Sequence, residues 1–226
     1  MAQGTAKYLR NRLRNQPRGS SSWRSEMLEV GALALAAVLS AGMGEAAFAE
    51  GITQANPDFQ GGQAPLAEDV SSQSSLLSRA QTALRQERYE EATELWQQLV
   101  EKSPDSAEMS YNLGVANHRL FQIEDAAKAY WTATVLNPEH REAHVNLSLA
   151  LIQLGRYEEA MRSLDHLLTL PDRPSDPASI HAMAHYNRAV ILGREGKIEE
   201  SLAAVNAALA ISPDFTQATE LIDIIR

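Results

Sequence analysis

The chain has no cysteine among its 226 residues, which removes disulfide staples, thiolate metal sites and cysteine nucleophiles from consideration. That absence is compatible with any compartment and establishes none. No glycine-rich phosphate loop, Gly-x-Ser-x-Gly elbow or paired-carboxylate site is present, so no catalytic residues and no cofactor are expected. Proline is limited to nine residues, with 44% hydrophobic and 22% charged residues. This composition suits one folded unit with extensions. Acid is missing from residues 1–25, which hold Lys7, Arg10, Arg12, Arg14, Arg18 and Arg24. From Glu50 onward the balance reverses, with 14 basic and 26 acidic residues. So acidic a body disfavours nucleic-acid binding, because phosphates need a basic surface.

The basic head leads into Val30–Gly44, fifteen residues without a charge, and then Ala47-Phe48-Ala49. Basic region, apolar core and small-x-small site together read as an export signal over 1–49. The apolar run gives about 22 Å of helix at ~1.5 Å per residue, short for a hydrocarbon core of about 30 Å. Cleavage would deliver the rest of the chain to the periplasm or, in a photosynthetic organism, the thylakoid lumen. An uncleaved helix within 27–49 would instead tether it to the membrane, with the basic side left behind. Glu26 and Glu29 stand just before the apolar run, and the Arg- and Ser-rich head also has the character of an organelle transit peptide. Residues 50–73, rich in Gly, Gln and Pro without apolar periodicity, read as a flexible linker. Phe59 stands alone within it.

Beyond the linker one spacing recurs. Ala92, Ala126 and Ala160 stand 34 residues apart, as do Pro104 and Pro138. Each alanine closes a similar tetrad, Tyr89-Glu-Glu-Ala92, Ile123-Glu-Asp-Ala126 and Tyr157-Glu-Glu-Ala160. A fourth copy, Ile198-Glu-Glu-Ser201 before Pro213, follows after a break in phase. A fixed period near 34 predicts paired amphipathic helices stacked into a solenoid, each unit too small to bury its own apolar face. In the second copy, helices are expected over Ala107–Leu120 and Ile123–Leu136, with Ser106 or Pro104-Asp105 as the start signal of the first. Gly114 and Ala126 let two backbones approach closely. The extra seven residues before the fourth copy fall around Pro171, Pro174 and Pro177, which forbid a continuous helix.

These residues resemble the tetratricopeptide repeat (TPR) family. The second copy supplies Leu113-Gly114, Ile123, Ala126, Tyr130, Ala133 and Pro138. The first supplies Ala80, Tyr89, Ala92, Trp96, Leu99 and Pro104, with Arg79 where leucine is usual. The third runs from Leu147-Ser148 through Tyr157, Ala160, Leu164 and Leu167, and the fourth from Ala189 through Ile198, Ser201, Val205 and Ala208 to Pro213. The resemblance implies an all-α, right-handed superhelical solenoid over 74–226. Its four repeats would fall at about 74–106, 107–140, 141–174 and 182–215, with a capping helix over 215–225.

The family's habit of binding extended peptides or partner helices on a concave surface places the expected site on the first helix of each unit. Asn112, Asn146 and Asn187 align there, able to donate and accept along a peptide backbone. Tyr111 and Tyr186, one residue earlier, and Val115, Leu149 and Val190, three later, would form an apolar floor. Arg85, Arg119 and Arg194 align at the helix ends, where they could meet a carboxylate or serve only the helix dipole. The two-carboxylate clamp of some members is not matched, since Leu77, Gln81, Asn112, Glu142 and Asn146 occupy its positions. His181 and His185 share one helical face but have no third ligand at a suitable spacing, and no metal site is expected. Glu90-Glu91 and Glu158-Glu159 recur with the repeat and read as solvated helix starts. The expected function is a non-enzymatic adaptor for a protein or peptide, without a small-molecule substrate. It would serve assembly or scaffolding of a membrane or envelope complex. The alternative is a permanent structural subunit held through its convex side or its ends.

Overall fold

A computed structural model describes residues 67–225 apart from Asp176, with side chains from Ser72 onward. The expected signal or anchor over 1–49 and most of the linker, including Phe59, lie outside the described residues. The described residues form nine helices and no strand. They are α1 Ala67–Arg85, α2 Tyr89–Lys102, α3 Ala107–Arg119, α4 Ile123–Leu136, α5 Arg141–Gln153, α6 Tyr157–Leu167, α7 Ile180–Arg194, α8 Ile198–Ile211 and α9 Thr216–Ile225. Two compact units divide at Leu170 and Pro171. The first holds three helical hairpins, α1–α2, α3–α4 and α5–α6. The second holds the hairpin α7–α8 and the final helix α9.

The period seen in the sequence is a packing rule. Ala92, Ala126 and Ala160 are wholly buried, and so is Ser201 at the matching place. Four residues on, Trp96, Tyr130, Leu164 and Val205 fill the space inside each hairpin, and three further on Leu99, Ala133, Leu167 and Ala208 complete it. The small residue lets the two helices of a hairpin close, and the large one fills the gap they leave. Ser201 keeps the pattern because its hydroxyl donates to the Ala189 carbonyl at 2.7 Å, so no polar group is stranded.

Helix starts follow two different rules. α3, α5 and α7 begin at side-chain caps, with Ser106, His140 and Ser179 accepting from the amides of Met109, Ala143 and Ala182. α2, α4, α6 and α8 lack such caps and open instead on acidic pairs, Glu90-Glu91, Glu124-Asp125, Glu158-Glu159 and Glu199-Glu200, which complement the helix dipole. Each hairpin turns through one residue in the left-handed region: Glu87, Phe121, Gly155 and Gly196, with φ of 57°, 59°, 73° and 79°.

α1 begins seven residues before the position the periodicity predicted. The Ser-rich stretch 71–75 has no apolar spacing to announce a helix. It contains no Gly or Pro to stop one either. Gln73 Nε2 donates to Ser103 Oγ at 2.8 Å, tying this extension to the end of α2. At the outer end of the first hairpin, Arg79 is exposed and lines an open hollow with Ser75, Ser78, Thr82, Arg88 and Glu91.

Among the described residues no helix forms between Leu167 and Ile180, as the prolines require. The segment is nonetheless held in place. Asp172 Oδ1 accepts from the amides of Arg173 and His181, and the Ile180 amide donates to the Arg173 carbonyl. α9 lays Ala218, Leu221, Ile222 and Ile225 into buried positions, and Phe215 just before it is buried with its ring centre 5.2 Å from that of Tyr186.

Candidate peptide-binding face

In the first unit the expected site residues fall on α1, α3 and α5, the first helices of their hairpins. Asn112 and Asn146 occupy matching places on α3 and α5 and are only 5% and 3% exposed. Their amides are already committed. Asn112 Nδ2 donates to the Glu108 carbonyl at 2.9 Å and to its carboxylate at 3.2 Å. Asn146 Nδ2 donates to the hydroxyl of Tyr111, 3.2 Å away on the preceding hairpin. Tyr111 itself is buried, which together with Glu142 and Glu108 nearby raises its phenol pKa. Leu149 is buried and Val115 half-buried.

Arg85 and Arg119 end α1 and α3. Arg85 is exposed and donates to Thr82 Oγ1 at 3.2 Å, whereas Arg119 is half-buried with its guanidinium 6.0 Å from the centre of the Tyr89 ring. Asn187, Tyr186, Val190 and Arg194 lie on α7 in the second unit. The first three are buried and Arg194 is half-buried.

Sequence reasoning missed a set of polar links between successive hairpins. His118, buried on α3, joins Gln153 of α5: its Nε2–H donates to Oε1 at 3.0 Å, since an amide oxygen only accepts. Its Nδ1 is then left to receive the Tyr130 hydroxyl at 3.5 Å. Burial lowers the His118 pKa and favours this neutral form. His140 sits between two carboxylates, with Nε2 3.4 Å from Glu108 and Nδ1 3.4 Å from Glu142. Burial opposes its charge, but the two glutamates outweigh that and raise its pKa to about 9. The bond from His140 in turn holds the Glu108 carboxyl below its ordinary range. Nδ1 can accept from the Ala143 amide only in the neutral ring, so the helix cap and the ion pair with Glu142 are alternatives.

A second histidine group stands behind α5. His144 and His166 both direct Nε2 at the Pro138 carbonyl, at 3.0 and 2.9 Å, with their rings 4.7 Å apart. A carbonyl only accepts, so both rings donate. Ser163 Oγ lies 3.1 Å from His144 Nδ1. These contacts pin the turn after α4 to both helices of the next hairpin. Among the described residues no group of three or more His, Asp or Glu is arranged to hold a metal ion.

Comparison with known proteins places this architecture. Two family models, each described as tetratricopeptide repeat, match residues 77–130, 120–177 and 182–215. Human Tetratricopeptide repeat protein 8 is 27% identical over 128 residues, covering 57% of this chain. The chain spans only about a fifth of that relative, 22% of its length. Among solved structures, YrrB, described as a TPR protein with an unusual peptide-binding site, is similar with a TM-score of 0.58 and 24% identity, over 67% of this chain and 74% of that one. MamA from Desulfovibrio magneticus RS-1 is similar with a TM-score of 0.55 and 17% identity, over 68% of this chain and 92% of that one. Likenesses this distant speak for the fold alone. With helices, buried positions and family matches all in the same register, the chain belongs to the tetratricopeptide repeat family.

Proposed function

We propose that the repeat body is a non-enzymatic protein-interaction module that holds a peptide or partner segment against the first helices of its hairpins. In the first unit Asn112 and Asn146 would supply amide contacts, Tyr111, Val115 and Leu149 an apolar floor, and Arg85 and Arg119 a means of meeting carboxylates; in the second unit Asn187, Tyr186, Val190 and Arg194 are the corresponding set on α7. The observation that carries this reading is the repeated asparagine, Asn112 held by Glu108 on its own helix α3 and Asn146 on α5 held by Tyr111 of α3. The description of YrrB as peptide-binding supports it by likeness of fold. Because both asparagines are almost wholly buried, a ligand reaches them by taking over the bonds to Glu108 and Tyr111.

Assembly or scaffolding of a membrane or envelope complex is the role that the N-terminal sequence suggests. Export, or tethering by an uncleaved helix, rests on residues 1–49 and is tested by sequencing the N-terminus of the mature protein. Among the described residues no helix is long and apolar enough to cross a membrane. The groove is tested by affinity capture from the native source with the full chain and its Asn112→Ala, Asn146→Ala double variant. Loss of specific partners from a variant that keeps its helical circular dichroism supports the assignment, and an unchanged set of partners overturns it.

A further inference from the structure

α4 carries large apolar side chains on its solvent side. Trp131 is 60% exposed and Val135 56%, and four residues of helix place them on one face. Single exposed apolar residues are ordinary, but the repeats provide an internal control. The places matching Trp131 hold Gln97, Asp165 and Asn206, and those matching Val135 hold Glu101, Thr169 and Ala210. All six are exposed. The scaffold therefore needs no tryptophan or valine there. Leu136 is different, because Leu170 and Ile211 repeat its apolar character at the same position.

The surroundings are acidic. Glu124, Asp125 and Glu139 are exposed along and just beyond this helix. Two cations stand among these acids, Lys128 paired with Asp125 at 3.1 Å and Arg156 shared between Glu124 at 3.6 Å and Glu159 at 2.7 Å, so the carboxylates of this face outnumber the cations that pair with them. An anionic bilayer would be repelled by this rim, and so would a second copy of a chain with net charge −9. A partner with its own apolar stripe and basic flanks meets both features.

We propose that the outer face of α4 is a second docking surface, which takes a partner protein's amphipathic helix with its apolar stripe on Trp131 and Val135 and its lysines or arginines facing Glu124, Asp125 and Glu139. This surface is independent of the asparagine-bearing helices α3 and α5. A docked helix uses the i, i+4 spacing that matches the Trp131–Val135 pair. The aromatic supplies the anchor, as at the centre of most interfaces.

The test uses the full chain and two fluorescently labelled helical peptides of one apolar pattern, one of leucine and lysine, the other of leucine and glutamate. The variant is Trp131→Gln with Val135→Glu, which restores the residues of the first hairpin and so leaves folding intact. It also adds a negative charge, so loss of binding cannot come from weaker general attraction. The lysine peptide should bind the native chain and lose affinity about tenfold or more in the variant. It should bind the Asn112→Ala, Asn146→Ala chain as well as the native one, which separates this surface from the groove. Equal affinity for native chain and variant overturns the proposal, as does equal binding of the glutamate peptide. Trp131-dependent binding to phosphatidylglycerol vesicles, or Trp131-dependent dimers in sedimentation, overturns it in favour of a bilayer or a second copy.

Discussion

Asn146 on α5 donates through Nδ2 to the hydroxyl of Tyr111 on α3, 3.2 Å away and one hairpin earlier, with both side chains buried. A bond of this kind works between hairpins, so it supports stacking as well as any ligand contact. Asn146→Ala leaves the phenol hydroxyl without its donor and should cost about 1–3 kcal/mol, whereas Tyr111→Phe should cost about 0.5–1.5 kcal/mol. In urea unfolding the double variant should cost less than the sum of the two singles. Strict additivity would show that the two groups do not depend on each other.

Gly114 admits no side chain. A Cβ built there would lie 2.6 Å from the Cδ1 and Cε1 atoms of the Tyr130 ring, which is itself fully buried. Gly114→Ala should therefore destabilise by about 1–3 kcal/mol through overpacking, despite alanine's better helix propensity. Gly114→Ala with Tyr130→Leu should recover part of the loss, since Leu164 fills the same place in the third hairpin. A denaturant midpoint for Gly114→Ala at or above that of the native chain would disprove the clash.

Stability should depend on pH through two histidines of opposite sense. His140 has a pKa raised to about 9 between Glu108 and Glu142, so its contribution is complete below the unfolded value of about 6.5 and is lost as pH rises through about 9. His144 has its pKa lowered, first by burial and also by His166 and His140 nearby. Its contribution is present above about pH 6.5 and fades as pH falls below it. Thermal unfolding followed across this range should show His140→Gln flattening the alkaline limb and His144→Gln the acid limb. An alkaline limb unchanged in His140→Gln would remove the ion pair from the account.

Phe121 closes the turn of the second hairpin with φ of 59° and is 77% exposed, where the third and fourth hairpins use Gly155 and Gly196. An aromatic residue in the left-handed region is strained by roughly 1 kcal/mol, and nothing gained by burial offsets it. Phe121→Gly should raise the melting temperature by about 2–4 °C. A melting temperature that falls would mean the ring makes a compensating contact in solution.

The helices were legible in the sequence because packing inside a hairpin is local and periodic. Ile123–Leu136 and the start at Ala107 agree with expectation to the residue, and the first helix of the second hairpin ends one residue early, at Arg119. The links between hairpins were not legible, because they join residues of different repeats whose pairing depends on the stacking register. A signal was nonetheless available. Tyr111–Asn146 and His118–Gln153 are each separated by 35 residues, one more than the repeat. Polar pairs at that offset mark neighbours across a hairpin boundary. Asn112 and Asn146 stand at matching places on α3 and α5, but sequence alone could not reveal that their amides are occupied within the protein. The unusual outer face of α4 was visible only once exposure distinguished Trp131 from the buried Trp96.

Arg79 gives the array a direction. A further hairpin laid against that end, from another molecule or a grafted repeat, would have to strip water from a guanidinium and find it a partner. The hydroxyls around it, from Ser75, Ser78 and Thr82, are content in solvent and offer no grease for such a joint. Growth of fibres by head-to-tail stacking is thus discouraged at this terminus by one cation standing where leucine is the family's usual choice.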